Sequence, residues 1–209
     1  MLVTAGPTFE AIDPVRGITN LSSGKMGFAI ARAACHAGAQ VTLVAGPVHL
    51  PTPRGVNRVN VQSALQMHCA VLQQVDASQV FIATAAVADW RTKEISGEKI
   101  KKRGSAPPSL RLTENPDILT MVAVSDKRPK LVVGFAAETE KVVEHAKDKR
   151  KRKGADWIIA NDVSTNAAGV SVMGGAMNTV HIVTKDGVED LPELPKEQVA
   201  SAIVERIAH

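Results

Sequence analysis

The chain has 209 residues, 44% apolar and 22% charged, with 25 Lys plus Arg against 21 Asp plus Glu and a net charge of +4. At roughly 150 residues per domain this is one folded domain, and the composition excludes collagen-like, disordered and coiled-coil classes. Aromatics are only 3%, with no Tyr, which disfavours proteins that stack single-stranded bases, and Cys35 and Cys69 make neither a disulfide framework nor a zinc spacing.

A first strand is predicted over Leu2 to Ala5, stopped by Gly6-Pro7. From Gly24 to Ala37 the residues Met26, Phe28, Ala29, Ile30, Ala33 and Ala34 line one helical face, which Gly38 ends. Strands follow at Gln40 to Ala45 and Arg58 to Val61, then a helix from the capping residue Ser63 to Val75. Cys35 and Cys69 fall in these two helices and read as small buried hydrophobes. Val80 to Val87, Leu131 to Ala137 and Trp157 to Ala160 are near-continuous apolar runs, as in strands covered on both faces. Helices are expected from Pro116 to Val124, Thr139 to Lys153 and Lys196 to Ile207. Thr179 to Thr184, the turn Lys185-Asp186-Gly187 and Val188 make a β-hairpin.

This alternation predicts an α/β fold: a doubly wound, mostly parallel, Rossmann-like sheet with a late β-hairpin, in a single domain over 1–209. Two aperiodic stretches, Arg91 to Leu112 and Ser164 to Met177, exceed an ordinary connector and are read as functional loops, the first as a flexible flap. Met1-Leu2-Val3 opens without a basic or apolar leader, and no run of ~18 apolar residues exists. A cytoplasmic protein with no membrane and no nucleic-acid partner is expected.

In such a sheet ligands bind beyond the carboxyl ends of the strands. The residues there are Gly6, Pro7 and Thr8, then Ala88, Asp89 and Trp90, then Glu138 and Thr139, then Asn161 and Asp162. The strongest local feature is Asn20-Leu21-Ser22-Ser23-Gly24-Lys25-Met26-Gly27 running into a helix. Hydroxyls, a glycine and a cation at a helix start suit a phosphate, although a plain Ser cap is the competing account. Neither the Walker A spacing nor G-x-G-x-x-G is present. Lys99, Lys101, Lys102 and Arg103 form one basic group. The run Lys147, Lys149, Arg150, Lys151, Arg152 and Lys153 forms another, either a solvated helix end or a phosphate site. No G-x-S-x-G elbow, H-E-x-x-H or nucleophile–base pair occurs.

Several segments, in order, resemble one family. They are Thr4-Ala5-Gly6-Pro7-Thr8, Asp13-Pro14-Val15-Arg16, Asn20 with Ser22 to Gly27, and Ala85-Ala86-Val87-Ala88-Asp89. Lys99-Ile100-Lys101-Lys102, Asn115-Pro116-Asp117-Ile118, Gly134 to Thr139 and Ala160-Asn161-Asp162 complete the set. The chain resembles the bacterial phosphopantothenoylcysteine synthetases (phosphopantothenate–cysteine ligases) of coenzyme A biosynthesis. The resemblance implies an enzyme that converts 4′-phosphopantothenate and CTP, with Mg2+, to an acyl-cytidylate and pyrophosphate. L-Cysteine then displaces CMP to make the amide. By the same resemblance Asn20 contacts the intermediate, Ser22, Ser23, Gly24 and Lys25 hold the triphosphate, and Ala85 and Asp89 lie beside the nucleotide. Asp89 is also implied as the carboxylate near magnesium, and Lys99 as the flap lysine. Pro116, Asp117, Ile118, Leu119, Phe135, Lys149 and Lys153 match the remaining CTP-binding positions. A homodimer, and linkage to a flavin-dependent decarboxylase of which this would be an excised partner domain, are implied too.

Two departures stand out. Gly175-Ala176-Met177-Asn178 replaces an acidic segment before the hairpin, and Gly17 replaces a bulkier residue, which is expected to loosen the loop near Asn20. The competing functions are a Rossmann-type oxidoreductase and a nucleic-acid module using the 147–153 cluster. The first lacks an acidic ribose ligand at Gly46-Pro47-Val48-His49. The second predicts a steep salt dependence of binding.

Overall fold

Short aliphatic runs ending in Gly-Pro or Ala-rich turns build the centre of the molecule. In the computed structural model, which describes residues 1–101, 108–162 and 177–209, they form one eight-stranded sheet. The chain begins with β1 (Leu2–Ala5), the hairpin β2 (Phe9–Asp13) and β3 (Arg16–Thr19), and helix α1 (Lys25–His36). It continues through β4 (Thr42–Ala45), β5 (Asn57–Asn60), α2 (Ala64–Val75) and β6 (Val80–Ala83). A small pair, β7 (Trp90–Thr92) and β8 (Leu112–Glu114), precedes α3 (Ile118–Ala123), β9 (Leu131–Glu138), α4 (Val142–Lys153) and β10 (Trp157–Asp162). The remainder is β11 (Met177–Asn178), β12 (Val180–Val183), β13 (Val188–Asp190), β14 (Leu194–Pro195) and α5 (Lys196–Ala208).

The sheet order is β13-β12-β10-β9-β6-β1-β4-β5. The six strands from β10 to β5 run parallel, and β12 and β13 add the expected hairpin antiparallel at one edge. Chain direction therefore reverses its progress across the sheet between β1 and β6, the place where a doubly wound fold opens a crevice. Successive strand residues feed opposite layers. Val3, Leu43, Ile82, Val133 and Ile159 pack with α1 and α5, while Leu2, Val44, Phe81, Val132 and Ile158 pack with α2, α3 and α4. Burial on both faces explains why these strands read as unbroken apolar runs.

Several boundaries differ from the sequence expectation, each for a local reason. The β2–β3 hairpin was not predicted; its turn is made by the Asp13 carboxylate, whose Oδ1 accepts from Val15 N (2.9 Å) and Arg16 N (3.0 Å). The stretch Arg91 to Leu112 is not aperiodic at its ends, since β7 and β8 pair Trp90 with Glu114 and Thr92 with Leu112. β6 stops at Ala83 rather than Val87; Thr84 still reaches the Thr4 carbonyl through its N–H and Oγ1 (3.3 and 2.5 Å), and beyond it only the isolated Pro7–Ala86 bridge continues the pairing. Helix α3 starts after Asp117, which caps it through Thr120 N (3.1 Å), so Pro116 lies outside the helix. Helix α4 starts at Val142 rather than Thr139, behind Lys141 at φ 45°. Ser63 does cap α2, in a reciprocal box with Gln66. Cys69 is exposed and Cys35 half-buried rather than both buried. Cys69 sits two residues from Met67, off the buried stripe of Met67, Val71 and Val75. Lys102, Arg103, Gly175, Ala176 and nearly all of the 164–177 loop lie outside the described residues. Among the described residues no helix is long and apolar enough to cross a membrane.

Candidate functional site

The carboxyl ends of β1, β6, β9 and β10 open into a cleft of about 1050 Å³. Its floor is built by tying two loops together. Ala86 N donates to Gly6 O (2.9 Å), Thr8 N to Ala86 O (3.2 Å), and Ala88 N to the buried Thr8 hydroxyl (3.0 Å). Thr8, one of the strand-end residues inspected for chemistry, thus serves the scaffold. Asn115 extends the same system, its Nδ2 donating to Ala88 O (2.8 Å) and its N–H to Asp89 O (2.9 Å).

One wall is the start of α1. The helix comes so close to the sheet that a Cβ on Gly27 would lie 2.4 Å from Thr84 Oγ1 and 2.5 Å from the Ala5 Cβ. Gly24, at φ 74°, is the N-cap and supplies no side chain, and the first turn holds no acidic residue. Ser22 Oγ instead accepts from Gly24 N (3.3 Å). The plain serine cap is thereby removed as an account of this loop, and the start of α1, its positive dipole end, borders the cleft through Ser22, Ser23, Gly24 and Lys25. Asn20 stands beside this loop, its Nδ2 donating to Ala86 O (2.9 Å). The missing side chain at Gly17 does not loosen the approach. The Phe9 ring covers the position, where a Cβ would be 2.3 Å from Phe9 Cζ.

The opposite wall carries α3 and α4. Lys149, Arg152 and Lys153 project from one face of α4 at i, i+3 and i+4. Lys149 Nζ donates to Phe135 O (2.9 Å), and burial pushes its pKa below the ordinary lysine value against the pull of Glu138. Lys153 pairs with Asp117. Burial acts to raise the Asp117 carboxyl, but Lys153 together with the hydroxyl and N–H of Thr120 outweighs it and holds the group below the usual range. Asp89 lines the cleft as an exposed carboxylate, with Glu114 nearby on the same wall.

Of the sequence candidates, the cleft brings together Asn20, Ser22 to Lys25, Ala85, Asp89, Pro116 to Leu119, Phe135, Lys149 and Lys153. Lys99 is not among its lining residues; it is exposed on the 93–101 segment. Glu138 turns toward His145 (3.3 Å) instead of lining the cleft. Arg152, Asn178 and Lys196 are among the lining residues that received no individual role from the sequence, Arg152 having entered only as part of the 147–153 basic run. The α4 spacing could have found Arg152. Lys196 begins α5 and carries no local signal; burial and the charge of Lys25 lower its pKa. Among the described residues no group of three or more His, Cys, Asp or Glu is placed to hold a metal by itself. The carboxylates of this wall available to an ion are Asp89 and Glu114.

Over residues 1–209 the chain matches the family described as DNA/pantothenate metabolism flavoprotein C-terminal domain. It is similar to the coenzyme A biosynthesis bifunctional protein CoaBC of Vibrio cholerae, 50% identical over 208 residues that cover 99% of this chain and 51% of that protein. The Escherichia coli K12 protein of the same name is 49% identical over 210 residues, with coverage of 99% and 51%. The crystal structure of the C-terminal domain of a coenzyme A biosynthesis bifunctional protein CoaBC has a TM-score of 0.80 at 43% identity, covering 99% of this chain and 92% of that one. The chain spans about half the length of the curated relatives it matches.

Proposed function

The chain belongs to the DNA/pantothenate metabolism flavoprotein C-terminal domain family, and we propose that it is the phosphopantothenate–cysteine ligase unit of a coenzyme A biosynthesis protein. It would act in the cytoplasm, as a homodimer, beside a flavin-dependent decarboxylase unit. The observation that carries the reading is the cleft itself: the start of α1, whose N-cap Gly24 offers no side-chain bond, lines it together with Lys149, Arg152 and Lys153, with no nucleophile–base pair among the described lining residues.

That is the equipment for activating a carboxylate. A carboxylate oxygen of 4′-phosphopantothenate attacks the α-phosphorus of CTP and pyrophosphate leaves, giving the acyl-cytidylate. The cysteine amine then attacks the acyl carbon, CMP departs with its P–O bond intact, and the amine loses a proton. Both steps need positioned donors and cations rather than a covalent side chain. The Ser22 to Lys25 loop holds the triphosphate on backbone N–H groups. Lys149 and Lys153 hold the nucleotide phosphates, while Ala85, Pro116 to Leu119 and Phe135 shape the walls around it. The Asn20 amide reaches the acyl–phosphate junction, and the long Lys99 side chain extends from its loop to the phosphates. Asp89 would hold magnesium, which when bound neutralises phosphate charge.

The test is pyrophosphate release. Release is expected with CTP, 4′-phosphopantothenate and magnesium together, with CMP and the amide appearing only when cysteine is added. Equal release with ATP would remove the CTP assignment, and no release with either nucleotide would remove the ligase reading.

A further inference from the structure

Lys99 has an exposed side chain, yet the backbone next to it is held at both of its polar groups. Ile100 N donates to Asp13 Oδ2 (3.1 Å), and Arg16 donates from a terminal guanidinium nitrogen to Ile100 O (2.8 Å). Asp13 is buried, and its two oxygens divide their work. Oδ1 accepts from Val15 N and Arg16 N, closing the β2–β3 turn. Oδ2 takes the Arg16 side chain (3.0 and 2.5 Å) and the flap amide. The same hairpin meets the flap twice more, where Thr92 Oγ1 donates to Ala11 O (2.8 Å) and Ser96 N donates to Ile12 O (3.0 Å). The hairpin strand β3 leads directly into Asn20. One rigid ribbon thus carries the chain into the phosphate loop at one end and grips the flap at the other.

We propose that Asp13, with Arg16, is a positioning residue for Lys99: the pair clamps the Ile100 peptide so that the preceding lysine works from a fixed backbone. A buried carboxylate is costly unless its oxygens are satisfied, and this one spends an oxygen on a residue 87 positions away. A lysine carried on an unclamped loop would have to order that loop at each turnover, and a misplacement of about 1 Å can cost roughly 100-fold in rate. The proposal rests on the ligase reading, in which Lys99 contacts the phosphates.

The decisive variant is Asp13→Asn. Its remaining oxygen can keep the turn through Val15 N and Arg16 N, while its NH2 group opposes the Ile100 N–H and the Arg16 guanidinium. Hydrogen exchange at the Ile100 amide should accelerate, and single-turnover pyrophosphate release should fall by roughly 10- to 100-fold with a smaller change in the KM for CTP. Lys99→Gln alone should lower release by roughly 30- to 1,000-fold. In the Lys99→Gln background, Asp13→Asn should cost nothing further. An unchanged Ile100 amide, an unchanged rate, or a loss that multiplies in the double variant would overturn the proposal. If Asp13→Asn fails to fold, Ile100→Pro deletes the flap N–H while leaving the buried pair intact, and its pyrophosphate release, alone and in the Lys99→Gln background, decides in the same way. If the parent protein releases no pyrophosphate but Asp13→Asn still frees the Ile100 amide, the ligase reading has failed and the clamp has not.

Discussion

Asn20 shows how one side chain can be tied to both scaffold and chemistry. Its Nδ2 is engaged by the Ala86 carbonyl (2.9 Å), in the loop that also presents Ala85 to the cleft. Asn20→Asp exchanges that donor for a carboxylate oxygen facing a carbonyl oxygen, and sets negative charge where an anion develops as the amine attacks. The variant is expected to form the acyl-cytidylate and accumulate it, with the cysteine step slowed. Quenching with CTP and 4′-phosphopantothenate, chasing with cysteine and reading the intermediate by mass spectrometry checks this; consumption at the parent rate would reduce Asn20 to a loop residue. Gly17 illustrates the opposite case, a residue whose meaning depends wholly on a neighbour. The departure at this position suggests a loose loop until the Phe9 ring is found over it.

At the scale of elements, the cleft depends on how closely α1 approaches β1 and β6. Gly27 permits that approach, and Gly27→Ala would place its methyl against Thr84 Oγ1 and Ala5. The Thr84 hydroxyl is held on the Thr4 carbonyl and the Ala5 methyl is fixed to β1, so α1 must move. The expected loss is about 1–3 kcal/mol, or roughly 2–12 °C in Tm. Nucleotide affinity should fall with it, since the same shift withdraws the helix start from the phosphates. Calorimetry and CTP titration on one sample check both halves; a lowered Tm with unaltered affinity would detach the helix start from binding. The existence and order of these elements was legible from periodicity and turns, whereas the β2–β3 and β7–β8 pairs were not. Their strands (FEAID, RGIT, WRT and LTE) lack the apolar run that marks the equally short β1, β4 and β6, and what makes them pair is a side-chain turn at Asp13 and contacts across the chain.

For the whole molecule, a mild net charge of +4 hides a local concentration of cations. Lys149 from α4 and Lys196 from α5 both line the cleft, and burial lowers both pKa values, with Lys25 adding to the effect at Lys196. As pH rises toward 10.5 these two should lose their protons before ordinary lysines do. CTP affinity should therefore weaken over that range, ahead of the titration of surface lysines. The sign for stability is opposite: in the same interval the unfolded chain binds more protons than the folded one, so these groups make the unliganded protein more stable as pH rises. CTP titration and denaturant unfolding across pH 8 to 10.5 measure the two trends. Parallel rather than opposed slopes would show that other groups control the response.

The sequence by itself determined the doubly wound class, the order of the main-sheet strands and the helices, and many of the residues that line the cleft, the Ser22 to Lys25 loop among them. It could do so because strands buried on two faces, helix starts and strand ends leave local patterns, and because ordered motifs carry a family resemblance. Only the tertiary structure decided that Gly24 rather than a serine caps α1, that Thr8 and Glu138 serve the framework, and that Lys196 and Arg152 join the cleft. It alone put the Ile100 peptide in the grip of Asp13 and Arg16. Most of these facts join residues tens to more than a hundred positions apart, and such pairings arise from how layers stack and where buried hydrogen bonds must be satisfied, not from any spacing along the chain.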